Sequence, residues 1–392
     1  MSCSGRPHER GGDDREERRR ERAARDDGAD CTLAAEWDAL RSRARTDNVF
    51  VGHAFLATWW EHFRRERDAR IYVVREPHGR AIAIVPLYVE HKATRFGAVH
   101  VLRNVGFGDV VNPDFLDALC LTGDEDRVAR ALLPILRADR SWQHAEFSEL
   151  APEGSLVRMA TVWQERGPLD VRIEPRSICP YIALPASFED YLARCNPHFR
   201  QQLRRYRRKI EKDLAVEWRQ VGVDVDVATG IEQLARLHQE RMEATERGGN
   251  FRKDDYLAFH RGVAERLHRT GELFFWLVYV EGAPAATHYG FIDGATYYGY
   301  QMGFTSLYHK YSPGHYMTGR VMEMLIERGV REMNLLRGTD EWKFRWTETT
   351  RRTSTVRLLR RDLGVEAGLR PRPGEPTARV GLPLLDRARR LR

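Results

Sequence analysis

The residues best suited to chemistry gather in the second half of this chain. Tyr311-Ser312-Pro313-Gly314 runs straight into an apolar-periodic stretch. Ser312 can cap a helix there, Pro313 suits a first helical position, and Gly314 lets another backbone or a ligand approach closely. Free N–H groups at a helix start attract anions, and His309 and Lys310 add positive charge beside them. Read alone, the same tetrapeptide is a well-formed helix N-terminus and nothing more. Three titratable groups can take a proton from an ammonium, directly or through water: His288, Asp340 and Glu341. His288 also reads as a satisfied strand histidine, and the two acids as charges favouring a helix start. Arg337, Lys343 and Arg345 form a basic group suited to phosphates or an acidic acceptor, or else a solvated face.

These residues need elements to hold them. Leu273–Val280, Ala283–Ile292 and Ala295–Phe304 are β-branched and aromatic runs joined by the turns Glu281-Gly282 and Asp293-Gly294, which predicts an antiparallel meander. A helix follows over 314–328 with Gly329 as its C-cap. Next come a strand at 332–336, a short helix near 340–346 and a strand at 354–360. Upstream, Ser187 can cap a helix from Phe188, a basic helix spans 198–212, a strand spans 214–221, and helices cover 230–247 and 254–270. The basic helix puts Leu203, Tyr206 and Ile210 on one face and its arginines outward, either as a packed helix or as a phosphate-binding surface. The first half predicts a helix at 54–63, a hairpin of 70–74 and 81–88, strands at 99–102 and 145–147, and a helix at 125–138.

The order helix, strand, two helices, three strands, helix, strand, helix, strand resembles the GNAT acyltransferase superfamily. Within it, the chain is similar to the tandem FemABX/CelD-like branch. The likeness is carried by Tyr308 to His315, by the helix after it, and by Leu335-Leu336-Arg337-Gly338-Thr339-Asp340-Glu341-Trp342-Lys343-Phe344-Arg345-Trp346. Phe55-Leu56-Ala57-Thr58-Trp59-Trp60 and Val85-Pro86-Leu87-Tyr88 extend it into the first half. It implies an α/β fold with a mixed sheet and two GNAT-like domains in tandem, the first degenerate and substrate-shaping. It also implies acetyl-CoA or another acyl-CoA as donor substrate, held by Met302, Gly303, Phe304, His309, Lys310, Tyr311, Ser312, Gly314 and His315. A backbone N–H of the strand at 297–304 would polarise the thioester, and Tyr298, Tyr300, Arg337, Lys343 and Arg345 would meet the acceptor. His288, Asp340 or Glu341 would act as base. The branch carries tyrosine where this chain has Trp342, and an indole N–H is no proton-transfer acid, so Tyr311, Tyr316 or water is left to protonate the thiolate. Some FemABX relatives draw an aminoacyl group from tRNA, which keeps tRNA open as a partner beside a small-molecule or peptide acceptor.

Length and composition agree with two domains. The 392 residues are 42% hydrophobic and 31% charged, with a net charge of +7 that favours anionic partners without choosing among them. Five scattered cysteines offer no metal-ligand or redox spacing, so no metal is expected and the compartment reads as reducing and cytoplasmic. No apolar run approaches the roughly 18 residues of a membrane span. The expected organisation is a disordered charged segment at 1–33, a degenerate domain at 34–178, an acyltransferase domain at 179–364 and a basic, proline-rich tail at 365–392.

Overall fold

A computed structural model describes residues 33–360, apart from 66, 96, 109, 167–168 and 244–247, together with a short strand at Arg389–Leu391. Apart from residue 33 and that strand, the segments expected to be a disordered arm and a basic tail lie outside the described residues.

The fold is α/β, two units of like plan in tandem sharing one mixed sheet. In the first unit, α1 (His53–Phe63) precedes an antiparallel meander of β1 (Arg67–Arg75), β2 (Ala81–Thr94) and β3 (Gly97–Asn104). After the short β4 (Leu119–Cys120), the helix α2 (Glu125–Ala138) carries the chain to β5 (His144–Leu150), parallel to β3. The second unit repeats this plan. Its meander is β8 (Leu273–Val280), β9 (Ala283–Asp293) and β10 (Thr296–Phe304), and the helix α8 (Pro313–Glu327) leads to β11 (Glu332–Asn334), parallel to β10. The meander forms where alternation and tight turns foretell it, with Glu281 and Gly282 both at positive φ.

Between the units lie α3 (Ser155–Arg166), β6 (Leu169–Ala183), α4 (Phe188–Arg194), α5 (Pro197–Asp213), β7 (Val216–Gln220), α6 (Val227–Glu243) and α7 (Asp254–Arg269). Ser187 Oγ caps α4 on Asp190 N, and Asn196 caps α5 with Pro197 at its first turn. The helix α3 and the 15-residue β6 are not in the sequence reading. The first stretch of β6 does alternate, with Leu169, Val171 and Ile173 against Asp170, Arg172 and Glu174, but Pro175 and Pro180 argue against a strand there. The strand tolerates them through a register shift opposite Pro175.

The end of the chain ties the units together. After α9 (Glu341–Phe344), β12 (Thr350–Arg360) does not stay beside β11; it inserts between β5 and β6, while β6 pairs with β11. β12 thus sits beside the first unit's parallel strand β5 and β6 beside the second unit's β11, and the expected boundary at 178/179 falls inside β6. One large core follows from this, joining Phe50, Phe55 and Trp59 to Phe259, Phe291 and Tyr298.

Candidate active site

Inside a sheet, a ligand can pair with the backbone where two neighbouring strands separate. β10 and β11 stay in register from Thr296↔Glu332 to Tyr298↔Asn334, after which β10 continues to Phe304 while β11 ends. The sequence reading carries that strand on to Leu336. Instead Asn334 Oδ1 accepts from Leu336 N at 2.9 Å and Leu336 takes a positive φ of 55°, turning the chain away. Just past the parting, β10 bulges between Gly299 and Gln301, which leaves Tyr300 without a partner on β9.

The corresponding pair in the first unit is closed. Leu116 forms a parallel bridge to Leu150, with Leu116 N donating to Glu149 O and Ala151 N to Leu116 O. The Asn104 side chain bonds Ser148 N at 2.9 Å and Ser148 O at 3.1 Å across the same gap. With those backbone groups satisfied internally, nothing can pair into the space between β3 and β5.

The loop before α8 has a different form from the one its residues suggest. Ser306–Tyr311 is a 3₁₀ turn, and Ser312 sits at the cap position with left-handed backbone (φ 53°, ψ 58°), its side chain making no cap bond. Its carbonyl instead accepts from His315 N (3.1 Å) and Tyr316 N (3.2 Å), and Ser312 N donates to His309 O. Since proline has no N–H, Gly314 is the loop position whose donor these bonds leave unused. Phe304, at the end of β10, lies 3.5 Å from where a Cβ on Gly314 would stand, so the loop and the open strand adjoin. His309 and Lys310 are exposed, with Lys310 and Lys209 each over the Tyr311 ring. Gly303 is required by packing: a Cβ there would stand 2.5 Å from His238 N on α6. Met302 O accepts from Arg241 at 3.1 Å.

The chain brings an unforeseen set of charges to the parting. A 20-residue connection between β3 and α2, broken only by β4, carries Asn112 and Asp114 across to the second unit. Arg337 N donates to Asp114 Oδ2 at 2.6 Å, and its guanidinium reaches Asn112 O, Asp114 and Glu149. Glu149 also accepts from Arg176 (2.8 Å), Ser177 (2.9 Å) and Thr353 (2.7 Å). Burial pushes the Asp114 carboxyl up to about 6, against the pull of Arg337 and with the help of Glu149. Burial works the same way on Glu149, but Arg337 and the Thr353 hydroxyl outweigh it and hold that carboxyl below its ordinary range. Asp114 Oδ1 is buried without a hydrogen-bond donor among the described residues. Phe115, Glu149 and Leu336, all beside this network, hold positive φ, and such strain collects where a fold must present particular groups. The Tyr300 ring packs against Phe50, His260 and Phe291, and burial raises its phenol well above the ordinary tyrosine value, with Arg337 pulling it down and Asp114 pushing it up. The long connection between β3 and α2 was the available signal for Asp114, because loops of that length in a compact domain tend to be functional.

The other expected site residues are placed as follows. His288 is 2% exposed on β9, with Nδ1 2.7 Å from Tyr297 Oη, Nε2 without a hydrogen-bond partner among the described residues, and burial bringing it down to about 4. Asp340 stands before α9 near Lys343, while Glu341 is exposed and paired to Arg345 at 3.0 Å. Lys343 is buried and donates to Leu336 O (2.9 Å) and Arg337 O (2.6 Å), clamping the turn that presents Arg337. Tyr298 packs edge-on to Phe50. Tyr311 and Tyr316 share a small cluster with Ile210, and the Tyr316 hydroxyl faces Glu211 and Trp218, on the β7 side of the sheet and not toward β11. His315 stacks on Trp346 between Phe199 and Tyr206.

Comparison with known proteins agrees with this architecture. Residues 197–344 match the family described as Acetyltransferase (GNAT) domain. No curated protein sequence matches the chain. Among solved structures, FemX is similar with a TM-score of 0.56 at 11% identity, covering 84% of this chain and 97% of its own. L-PGS from Bacillus licheniformis gives 0.51 at 11% identity over 83% and 92%. The C-terminal domain of a putative lysylphosphatidylglycerol synthetase from Agrobacterium fabrum gives 0.50 at 12% identity over 84% and 92%. At these identities the likeness is one of fold. The GNAT acetyltransferase match is thus one of residues 197–344, and the chain as a whole is similar in fold to FemX.

Proposed function

We propose that this protein moves an acyl group from acyl-CoA to an amine, less readily a hydroxyl, of a sugar, amino acid or peptide intermediate in a bacterial biosynthetic pathway, working in the cytoplasm. The observation that carries the proposal is the open strand pair β10 and β11, with the Ser312–Gly314 loop beside β10, Tyr300 at the β10 bulge, and Asp114 bonded to Arg337 just past β11. The acyl thioester would lie in the parting, its carbonyl oxygen taking a hydrogen bond from an unpaired β10 N–H. The acceptor nitrogen then adds to the thioester carbon, and Asp114 accepts the proton it sheds. As the C–S bond breaks, the sulfur keeps the electron pair and takes a proton from water. Asp114 is preferred to His288 as base because it binds the Arg337 backbone just beyond the end of β11 and titrates nearer neutrality. Arg176 and Arg337, each about a third exposed, would receive an acidic group of the acceptor. Calorimetry with acetyl-CoA and longer acyl-CoAs tests the proposal; absence of binding to all of them would end it.

A second reading is aminoacyl transfer from tRNA, favoured by the FemX-like fold and the outward arginines of α5. It predicts tRNA affinity that falls steeply with salt and weakens when Arg204, Arg205, Arg207 and Arg208 are neutralised.

A further inference from the structure

The chemistry above leaves unused a pair of histidines on the hairpin of β2 and β3. His91 and His100 are nine residues apart, no ligand spacing in the sequence, but the hairpin register sets them directly opposite each other. The backbone of His100 is turned toward the start of β5: its N–H donates to Gln143 Oε1, and its carbonyl accepts from Gln143 N at 2.9 Å. Toward β2 the two histidines are therefore a non-hydrogen-bonded pair, the kind whose side chains come closest. Their rings meet edge to face with centroids 4.4 Å apart, and the two Nδ1 atoms are in contact. On the other side of His91, Asp68 of β1 sets its Oδ2 3.4 Å from Nε2. A carboxylate only accepts, so this contact keeps the His91 ring proton on Nε2 and leaves the Nδ1 lone pair facing His100. Burial, and after it the neighbouring His91, lower the pKa of His100, which favours the neutral ring that a ligand must be. Beyond the pair, Ala93, Thr94, Arg95, Gly97 and Ala98 are exposed, so solvent reaches this end of the hairpin.

We propose that His91 and His100 bind a divalent transition-metal ion of the kind imidazole favours (zinc, nickel or copper), with Asp68 orienting His91 from behind. Two nitrogens that face each other across neighbouring strands share either a proton or a cation. A small opening of the pair seats an ion ~2.1 Å from each nitrogen. Carboxylate, histidine, metal is the order in which proteins commonly fix the tautomer of a ligating ring. Arg70 also faces Asp68, at 3.9 Å, but its nearer partner is Asp139 at 3.3 Å, which leaves the Asp68 carboxylate to His91. Among the described residues no group of three or more His, Cys, Asp or Glu side chains forms a metal site. Water therefore completes the shell, and the ion is exchangeable. Magnesium and calcium are the poorer occupants, because both take oxygen ligands. A bound ion ties β2 to β3 at the exposed end of their hairpin.

Calorimetry with ZnCl2 on the untagged full chain tests this, beside His91→Ala, His100→Ala and Asp68→Asn. The expected result is one ion per chain, with binding lost in either histidine variant and weakened roughly tenfold or more in Asp68→Asn. Excess MgCl2 should not compete. A second measurement locates the ion on the unaltered protein: NiCl2 should broaden the ring-proton NMR signals of His91 and His100 before those of the exposed His78 and His198. Should a variant fail to fold by circular dichroism, the NMR result decides alone. No binding of zinc, binding that both histidine variants retain, or broadening that begins at other histidines overturns the site and leaves a plain hydrogen-bonded pair. An Asp68→Asn protein that binds zinc as tightly as the unaltered chain overturns the part given to the carboxylate.

Discussion

Asp114 is ordered by atoms far away in the chain: its closest donor, Arg337 N, is 223 residues on. Because burial lifts its carboxyl from 3.8 to about 6, it is a base only above that pH. The rate at low acyl-acceptor concentration should therefore fall about tenfold per unit as pH drops below about 6, and Asp114→Asn should remove that limb along with ~10²–10⁴ of the rate. A variant that keeps both the rate and the limb would exclude Asp114 as base. The effect on stability has the opposite sense. The folded state binds the proton more tightly than the unfolded chain, so stability declines as pH rises from 3.8 to about 6, and the Asn variant should lack that decline. Gly314→Ala offers a companion test: a Cβ there meets only ordinary contact with Phe304, and alanine favours a helix. Thermal stability should hold or rise while acyl-CoA binding weakens, if a phosphate needs the bare backbone. At this scale the sequence was a partial guide. It marked the helix start at Pro313, but not the left-handed Ser312 or the clamp of Lys343 on Leu336 and Arg337, because both depend on contacts that no local spacing encodes.

Strands and helices were far more legible, since alternation and turn chemistry are local. The second meander and α8 match the sequence reading to within a residue or so, whereas β6 was hidden by its prolines. What alternation cannot show is which polar face is buried. Across β3, β5 and β12, Arg103, Glu146 and Arg357 align in register, and Glu146 accepts from Arg103 and Arg357. Burial opposes its charge, but Arg103, Arg357 and Arg176 prevail and hold its carboxyl down to about 2. A depressed carboxylate stabilises the fold above its unfolded value of 4.5, and that stability is lost as pH falls from 4.5 toward 2. Glu146→Gln should therefore cost on the order of 3 kcal/mol at pH 7 and little at pH 2, measured by urea unfolding. An equal cost at both pH values would show that shape, not charge, is what Glu146 supplies.

For the molecule as a whole, the exchange of last strands decides how it folds. β12 lies between β5 and β6, so the first unit's sheet is complete only after residue 360 is in place. The core crosses the same line: Phe50 meets Phe291 and Tyr298 edge-on, and Phe55 meets Phe259 at 5.4 Å. Ordinary domain contacts within a chain are smaller and more polar, and allow separate unfolding. Here each unit lacks a central strand without the other, and an unpaired ladder in a buried sheet leaves its N–H and C=O groups unsatisfied. Full-length protein should accordingly lose tryptophan fluorescence and far-ultraviolet circular dichroism in one coincident transition, although a chain of this size commonly shows two. Trp59, Trp142 and Trp163 report the first unit, and Trp218 and Trp276 the second. Residues 33–183 expressed alone should show no cooperative unfolding, and so should a chain ending at residue 348. Adding the peptide 349–360 to that shortened chain should restore the transition. Two resolved transitions in the full chain, or a cooperatively folded 33–183, would mean that the strand exchange decorates units already stable by themselves. In that case the placement of Asp114 against Arg337 would rest on docking between the units, not on the sheet they share.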